Sequence, residues 1–484
     1  MPDQYLHGAR VVEIDSGARP IQTVATAIIG IVGTAPNAEG AASAVATFGT
    51  GTSLLTLTAA TAGIAGNTIS CRLANPSANS ASLSVAVSGN AITVNLATNS
   101  SGVVTSTAAA IATALAASTP ATALVTASYG GDGSGVAAAS VTKILTGGLD
   151  ESFPLNVPFL VTAPNVAARA GSTGTLPKYL ADIQAQTNAV VVVVRVAASS
   201  NPTTQTSNVI AGISQLLNAE STLGIEPKIL IAPEFSQSKI IADALSGAAD
   251  TLLAFAFADG PNTTDSEAIL FATKFASKRL AVIDPWLTVS GEIHAPSGVA
   301  AALTAKQDTL NGFWWTPSNI AILGFDGFTR SVSYRNGDPS CTANLLNAGN
   351  VTTLINRKGM LLWGDRTTAA DPKWQFIAVV RISDAISASI SRAIHWAADR
   401  PKTRSYFKDV AESVKDYLRT LEQLGAILGG DCWTIDEKNT NPTNAQNGKA
   451  FWAYNFTPVY PAEQLIFESI LVTDYLVNLT TNNS

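Results

Sequence analysis

The chain has 484 residues, of which 46% are hydrophobic and only 13% are charged, and its formal net charge is −6. The excess of acidic side chains argues against a general nucleic-acid binder, because such a protein needs Lys and Arg to neutralise phosphates. No run of about 20 apolar residues is present to span a bilayer.

The low share of charged residues predicts that other subunits cover much of the surface. An ordinary alanine-rich soluble protein is the alternative. The three widely spaced cysteines favour reduced thiols over a disulfide framework. The opening MPDQYLHGAR lacks the apolar centre of a secretory signal, so we expect assembly in the cytoplasm.

The first predicted element is an extended segment over residues 5–15. Val11, Val12 and Ile14 are interspersed with charged residues there, and Gly17 follows. A single strand cannot bury itself. The pattern fits equally an edge strand of the first domain and an arm that pairs with the sheet of another subunit.

Residues 41–147 differ sharply from the rest, because their only charged residues are Arg72, Asp132 and Lys143. Alternation with a period of two predicts a folded β-rich module over disorder. Ser88-Gly89-Asn90 is typical of a hairpin turn, and one helix is expected near residues 105–117. The alternating segments are residues 53–59, 67–74, 81–97 and 123–130.

From residue 158 to residue 284, continuous apolar runs alternate with helical patterns. This order predicts an α/β domain with a largely parallel sheet that is covered on both faces. The predicted strands are residues 158–163, 189–196, 227–234, 250–257 and 278–284. The predicted helices lie near residues 177–186, 207–219, 236–247 and 265–276.

Such a sheet raises the hypothesis of an enzyme, but no P-loop, G-x-S-x-G, H-E-x-x-H or C-x-x-C motif occurs. The sequence also gives no sign of titratable groups that converge at the carboxyl edge of the sheet. His7, His294 and His395 are too scattered to suggest a metal site. Asp259, Asn262 and Asp265 have calcium-binding chemistry, although duties in turns and helix caps explain them more simply.

The segment 312–400 contains five of the eight tryptophans, which predicts a packed C-terminal domain. Apolar residues at helical spacing predict helices over residues 382–399 and 407–424. Basic residues cluster around the second helix, either as a solvated face or as a binding surface. The candidates are Lys402, Arg404, Lys408, Lys415 and Arg419.

The chain ends in a predicted hairpin, formed by residues 431–435 and 449–457, and a long apolar segment, residues 464–479. An apolar β-prone segment of this length would aggregate unless it were paired. Our candidate pairing residues in this segment are Ile466, Ile470, Val472 and Leu476.

Four stretches carry a resemblance to a known family: YLHGARVVEIDSGARPI (5–21), FADGPNTTDSEAILFATKFASKRLAVIDPWL (257–287), NLLNAGNVTTLINRKGMLLWGDRT (344–367) and DPKWQFIAVVRISDAI (371–386). In this order they resemble the tail sheath proteins of contractile bacteriophage tails and R-type pyocins. The resemblance covers about residues 1–36 and 153–480. Residues 41–150 lie outside it and resemble, more weakly, small domains inserted into phage tail proteins.

The resemblance implies a structural subunit, with no enzymatic activity and no cofactor. Many copies would form hexameric rings or a helical homopolymer around a tail tube protein, with baseplate and tail terminator proteins as further partners. Contraction would drive the tube through the host envelope. The subunit would reside in the virion tail after assembly in the host cytoplasm. A non-contractile tail protein and an α/β enzyme remain as alternatives.

The predicted fold class is a multidomain α/β protein. Its expected parts are an N-terminal arm (1–21), an α/β middle domain (22–40 plus 151–300), an inserted β-rich surface module (41–150), an α+β C-terminal sheath core domain facing the tube (301–464) and a C-terminal arm (465–484). In the resembled family the arms add strands to the sheets of neighbouring subunits, which implies that role for Val11, Val12 and Ile14 and for the C-terminal candidates. The same resemblance places the basic residues of the second helix against the tube.

Overall fold

The structure, a computed structural model, describes residues 20–473. It is a mixed α/β multidomain chain with several separate sheets, which confirms the predicted class at that level. The chain divides into two compact units. The N-terminal unit comprises residues 29–227 and 231–244, and the described part of the C-terminal unit comprises residues 20–28, 228–230 and 245–473.

The N-terminal unit contains ten strands and six α-helices. Strands β1 to β10 are Ile29–Thr34, Val45–Phe48, Leu55–Ala59, Ser70–Ala74, Ser84–Ser88, Ala91–Asn95, Val125–Tyr129, Lys143–Ile144, Pro158–Val161 and Val191–Val196. Helices α1 to α6 are Ala108–Ala116, Thr119–Thr122, Pro164–Ala167, Thr175–Gln186, Pro202–Leu216 and Ala219–Leu223. Strand β11, Ile229–Ile231, and helix α7, Lys239–Leu252, come next in the chain and are divided between the two units.

In this unit β1 pairs in parallel with β10, with Ile29 opposite Val191, and β9 is antiparallel to β10. The six residues of β1 are all buried, as expected for a strand that is covered on both faces. The α/β character predicted for this part of the chain therefore follows from continuous Val and Ile runs.

Residues 42–149 of the same unit form a β-rich body with its own core. The main-chain groups of Ala42 and Leu149 exchange hydrogen bonds of 2.8 and 3.0 Å, so the chain enters and leaves this body at one place. One sheet has the order β2-β3-β7 and a second has the order β5-β6-β4-β8. The hairpin predicted at Ser88-Gly89-Asn90 is confirmed, because β5 and β6 are antiparallel and Gly89 adopts φ +57° in the turn.

The described part of the C-terminal unit contains the remaining strands and helices. Strands β12 to β21 are Phe255–Asp259, Leu280–Ile283, Leu287–Val289, Glu292–His294, Ile320–Ala321, Gly327–Phe328, Val351–Asn356, Met360–Trp363, Ile427–Thr434 and Trp452–Pro458. Helices α8 to α14 are Asp265–Ala272, Ser297–Leu310, Thr342–Ala348, Ile377–Ala393, Arg404–Gln423, Asp436–Asn439 and Pro442–Gln446.

Five strands of this unit follow one another in the order β16-β19-β18-β13-β12. The neighbours β12, β13 and β18 are parallel, whereas β19 and β16 are antiparallel additions. Strands β15, β14 and β17 form a small separate sheet, and β20 and β21 form an antiparallel pair. The predicted C-terminal hairpin is thus confirmed, with a longer first strand and a shorter second strand than expected.

Three local predictions were wrong. Residues 250–252 are helical, because α7 continues to Leu252 and the chain turns at Leu253, whose φ is +47°. Helix α11 begins at Ile377 and ends at Ala393, after which a 3-10 turn covers Ile394–Ala397. Leu424 was assigned to the apolar stripe of the second helix but lies exposed beyond the end of α12.

The tryptophans contribute less to the core than predicted, since Trp315 is exposed and Trp314, Trp363, Trp374 and Trp396 are only partly buried. The core around α11 and α12 is mainly aliphatic. No helix between residues 20 and 473 is long and apolar enough to cross a membrane.

Candidate functional site: a basic helix face and an exposed C-terminal segment

Helix α12 presents the predicted basic residues, and its position is fixed by its apolar side. Val410, Val414, Tyr417 and Leu421 are buried at a spacing of three or four residues, in a core shared with α11 and β20. The N-terminus is capped by Thr403, whose hydroxyl accepts a hydrogen bond of 3.2 Å from the amide of Tyr406. The opposite side of α12 is therefore held in a defined direction.

Four of the five predicted basic residues lie on one stripe of that exposed side. At about 100° per residue, Arg404, Lys408, Lys415 and Arg419 fall within roughly 60° of arc. Lys402 precedes the helix. Asp409, Glu412 and Asp416 occupy the neighbouring stripe of the helix, whereas Glu422, in the last turn, lies on the basic stripe. Up to Arg419 the exposed face is therefore divided into a basic and an acidic half.

Internal contacts already engage three of the basic groups. Lys415 lies 3.2 Å from Asp431, and Arg419 lies 2.7 Å from Asp416. The Nζ atom of Lys402 donates to the carbonyl oxygens of Ala445 and Lys449 at 2.9 and 3.3 Å. These groups have less free charge to offer a partner than the sequence suggested.

Arg404 and Lys408 are different, because within residues 20–473 neither forms an ion pair and both are exposed. They lie four residues apart, one turn of helix, on the same face. The structure thus narrows the predicted basic surface to these two residues, with Lys415 and Arg419 at its partly neutralised end.

Two sets of contacts hold the chain to the folded unit before the exposed C-terminal segment begins. Val459 packs against the core around α11 and α12, and the Tyr460 ring lies edge-on to Phe376 with 6.4 Å between ring centroids. Glu463 then forms a two-pronged ion pair with Arg366, at 2.8 and 2.7 Å. These contacts fix the position from which the rest of the segment starts.

Beyond Glu463, residues 464–473 have no helix or strand. Their apolar side chains are nevertheless exposed: Phe467 is 89% accessible and Leu471 is 100% accessible. The candidates Ile466, Ile470 and Val472 are all exposed too. Leu476, together with Val11, Val12 and Ile14, lies outside the described residues. An exposed apolar stretch of this kind marks a site of association.

The hairpin of β20 and β21 is a surface on which such a segment can pair. Over the part of the chain that the structure describes, each of its strands pairs with the other strand alone, so each has a free edge. Cys432, on one face of the hairpin, is buried in the core around α12, while Trp433, which points the other way, is exposed. Free edges accept additional strands through main-chain hydrogen bonds.

The structure also brings together titratable groups that the sequence did not reveal. The Arg330 guanidinium contacts the carboxylates of Asp265 and Asp284, next to the carboxyl ends of β12 and β13. The sequence showed no sign of this convergence at the carboxyl edge of the sheet. These residues are up to 65 positions apart in sequence, so local spacing contained no signal for them.

The polar groups of this cluster form hydrogen bonds and ion pairs with one another. The amide of Asn262 donates to Asp284 at 2.8 Å, and the Asn262 side chain accepts from Thr329. Burial raises the pKa of the Asp284 carboxyl, although Arg330 opposes that shift. Among the described residues, no group of three or more His, Cys, Asp or Glu side chains is arranged to hold a metal ion. The arrangement is typical of an ion-pair network that stabilises the ends of the strands.

Asp365 is a second group that sequence reasoning missed. It is buried, and its carboxylate oxygens form no well-aligned hydrogen bond within residues 20–473, so weak contacts with the Thr316 hydroxyl and the Ala378 amide only partly stabilise its charge. Burial raises the pKa of Asp365 to about 7. It directly precedes Arg366, which holds the C-terminal segment, and its carbonyl oxygen accepts from the amide of Ile377 at the start of α11.

Two family models match the chain in succession. The phage tail sheath protein central domain matches residues 208–368, and the phage tail sheath C-terminal domain matches residues 369–471. Neither matched range includes the β-rich body of residues 42–149. The basic helix, the hairpin and most of the exposed C-terminal segment all lie within the second match.

Curated relatives agree with these matches. A prophage major tail sheath protein of Pseudomonas aeruginosa strain UCBPP-PA14 is 38% identical over 68% of this chain and 89% of its own length. The tail sheath protein of Escherichia phage P2 is 33% identical over 69% of this chain and 89% of its own.

Solved structures share the fold. The sheath complex of an extracellular contractile injection system in its contracted state gives a TM-score of 0.53 at 18% identity, over 67% of this chain and 89% of that one. A chain of the anti-feeding prophage baseplate gives 0.53 at 20% identity, over 66% of this chain and 88% of the other.

Proposed function

This chain belongs to the phage tail sheath protein family, and we propose from that premise that it is the structural subunit of a contractile tail sheath. Many copies polymerise around a tail tube, and contraction of the polymer drives the tube through the host cell envelope. The exposed apolar residues 464–473 carry this proposal, because a free subunit gains nothing from leaving them in water.

The proposed parts of the subunit are those expected from the sequence. The α/β middle domain comprises residues 22–40 and 151–300, and residues 41–150 are inserted into it as a surface module. The pairing of Ala42 with Leu149 supports an insertion, since the module can be removed without separating the flanking chain. Residues 301–464 form the domain that faces the tube, between an N-terminal arm (1–21) and a C-terminal arm (465–484).

The arms join the subunits. In this proposal Ile466, Ile470, Val472 and Leu476 pair as a strand with the sheet of a neighbouring copy, and Val11, Val12 and Ile14 do the same at the other end. The free edges of β20 and β21 support this arrangement, because they offer unpaired main-chain groups beside an exposed Trp433. The copies then form hexameric rings or a helix, and the arms keep them connected while the rigid bodies move.

The work of contraction comes from contacts between subunits, without a cofactor or a catalytic step. If each subunit buried a further area of about 400 Å² of apolar surface in the contracted lattice, the gain would be on the order of 10 kcal/mol before opposing terms. Two solved structures with this fold were described in a contracted sheath and in a baseplate. By analogy we propose baseplate and terminator proteins as partners, and assembly in the host cytoplasm before incorporation into the virion tail.

The tube-facing surface is the basic stripe of α12. We assign the contact to Arg404 and Lys408 first, with Lys402, Lys415 and Arg419 as contributors, against an acidic tube surface. Arg404 and Lys408 can bind a partner without breaking an internal contact, whereas the other three residues already form one. This difference supports assigning the contact to Arg404 and Lys408 first.

Lys408→Glu is expected to weaken attachment of the sheath to purified tail tubes by at least about threefold at low salt. A single exposed charge contributes only about 0.5 kcal/mol, but many copies act on one tube and their contributions combine. The measurement is co-sedimentation of sheath protein with tubes. The difference should shrink at about 0.5 M salt, where exposed charges are screened.

Lys358→Glu is the matched control, because Lys358 is exposed, lies in the turn between β18 and β19, and is not among the proposed tube contacts. Lys415→Glu is unsuitable, since it removes the ion pair that Lys415 already forms with Asp431 and so changes the packing of the unit itself. Wild-type protein that fails to sediment with tubes would contradict the sheath function, whereas equal sedimentation of wild type and Lys408→Glu would contradict the assigned surface.

A further inference from the structure

We propose that the two-pronged ion pair between Arg366 and Glu463, called the fork below, is a latch. It determines where the exposed C-terminal segment that starts at residue 464, the free segment, begins. The inference rests on the proposed function for the role of the segment as a link between subunits. The latch itself is a feature of one folded unit, and it can be tested on unassembled protein.

The fork is built for a definite geometry. Nε and Nη2 of Arg366 donate in parallel to the two oxygens of Glu463 at 2.8 and 2.7 Å. Such two-pronged Arg–carboxylate pairs fix direction as well as distance. Both side chains are partly buried, with 25% and 30% of their surface accessible, so the pair is neither free in solvent nor sealed in a core.

Glu463 is also the last residue between 20 and 473 whose side chain forms a hydrogen bond or ion pair. The residues before it contact the folded unit through Val459 and through the rings of Tyr460 and Phe376. The apolar side chains after it are exposed from Leu465 onward. Removing the fork leaves only the Val459 contact and the largely exposed Tyr460 ring to hold residues 459–463, so the start of the free segment can move back toward Pro458, where β21 ends.

Opening the fork adds a length of free chain that is large compared with the distances of contacts between subunits. Releasing residues 459–463 adds five residues to the free chain, which is about 17 Å when fully extended. An exposed or half-exposed ion pair holds weakly, so tension from a displaced neighbour can open it. The latch keeps the segment short and directed in a relaxed lattice, and it allows a longer connection when neighbouring subunits move apart.

The test is hydrogen–deuterium exchange of the backbone amides in residues 459–463, measured on the full chain before assembly. Glu463→Gln removes the charge at constant shape and should raise exchange in these residues by about fivefold. Arg366→Lys keeps the positive charge but loses the fork, so its exchange should lie between those of the wild type and Glu463→Gln.

Glu468→Gln is the matched control: the same substitution in the same segment, at an exposed residue beyond the latch. It should leave exchange in residues 459–463 at the wild-type rate. Unchanged exchange in Glu463→Gln, or an equal rise in Glu468→Gln, would overturn the latch. The exchange measurement needs no polymer. If exchange is faster in Glu463→Gln but the protein never forms a sheath, the latch is upheld and the proposed function is contradicted.

Discussion

Asp308→Ala is expected to lower the free energy of unfolding of the C-terminal unit by about 3–5 kcal/mol. Asp308 forms a two-pronged ion pair with Arg381 at 2.6 and 2.5 Å, and this pair joins α9 to α11. Only 5% of the Arg381 side chain and 1% of the Asp308 side chain are accessible to solvent. Without Asp308 the buried guanidinium loses its ion pair and keeps only a 3.4 Å hydrogen bond to the Thr26 carbonyl oxygen and a more distant interaction with Asp365, which is the costly outcome.

Tryptophan fluorescence during urea denaturation reports on this unit alone, because all eight tryptophans lie between residues 286 and 452. Asp416→Ala is the control, since it removes an exposed pair with Arg419 on α12 and should cost less than about 1 kcal/mol. Equal stability of Asp308→Ala and Asp416→Ala would show that burial does not set the strength of these pairs.

Asp365→Asn is expected to stabilise the same unit at pH 8. Burial raises the pKa of Asp365 from 3.8 to about 7, so the fold favours the protonated acid. The stability that this group contributes is complete below pH 3.8 and is lost as the pH rises to about 7. Asparagine stays neutral, so the variant should exceed the wild type by up to roughly 4 kcal/mol above pH 7, and the two should converge near pH 4.

Other buried acids do not affect the difference in unfolding free energy between the wild type and Asp365→Asn. The pKa values of Asp284 and Asp384 are also raised by burial, but both proteins contain them, so the difference between the proteins isolates Asp365. The measurement is again urea denaturation by tryptophan fluorescence, at several pH values between 4 and 8. A constant difference across that range would contradict the assignment of the pH dependence to Asp365.

Regular elements were predictable where the pattern was long and had defined ends. Apolar residues at helical spacing placed α12 within a few residues, and Gly425, with φ +79°, follows its end. The boundary between α7 and β12 was not predictable in the same way. The run LLAFAF (252–257) is apolar throughout, so the point where helix changes to strand depends on the backbone turn at Leu253.

Pairing between distant residues was beyond the sequence. The basic patch on α12 was recognised from composition, but the engagement of Lys415 by Asp431 depends on the packing of β20 against α12. Arg279 and Asp384 are 105 positions apart, and Arg381 and Asp308 are 73 apart. A carboxylate such as Asp365 is indistinguishable in sequence from one in a surface turn. Its role arises only from burial.

Electron microscopy of the purified chain, next to a copy that lacks residues 465–484, tests most directly whether the exposed segment joins sheath subunits. We predict hollow cylinders from the full chain, and monomers or small oligomers from the truncated one, with the same tryptophan-reported stability in both. Cylinders from the truncated chain would contradict the C-terminal segment as an essential link. A full chain that stays monomeric even on added tail tubes would contradict the sheath assembly itself.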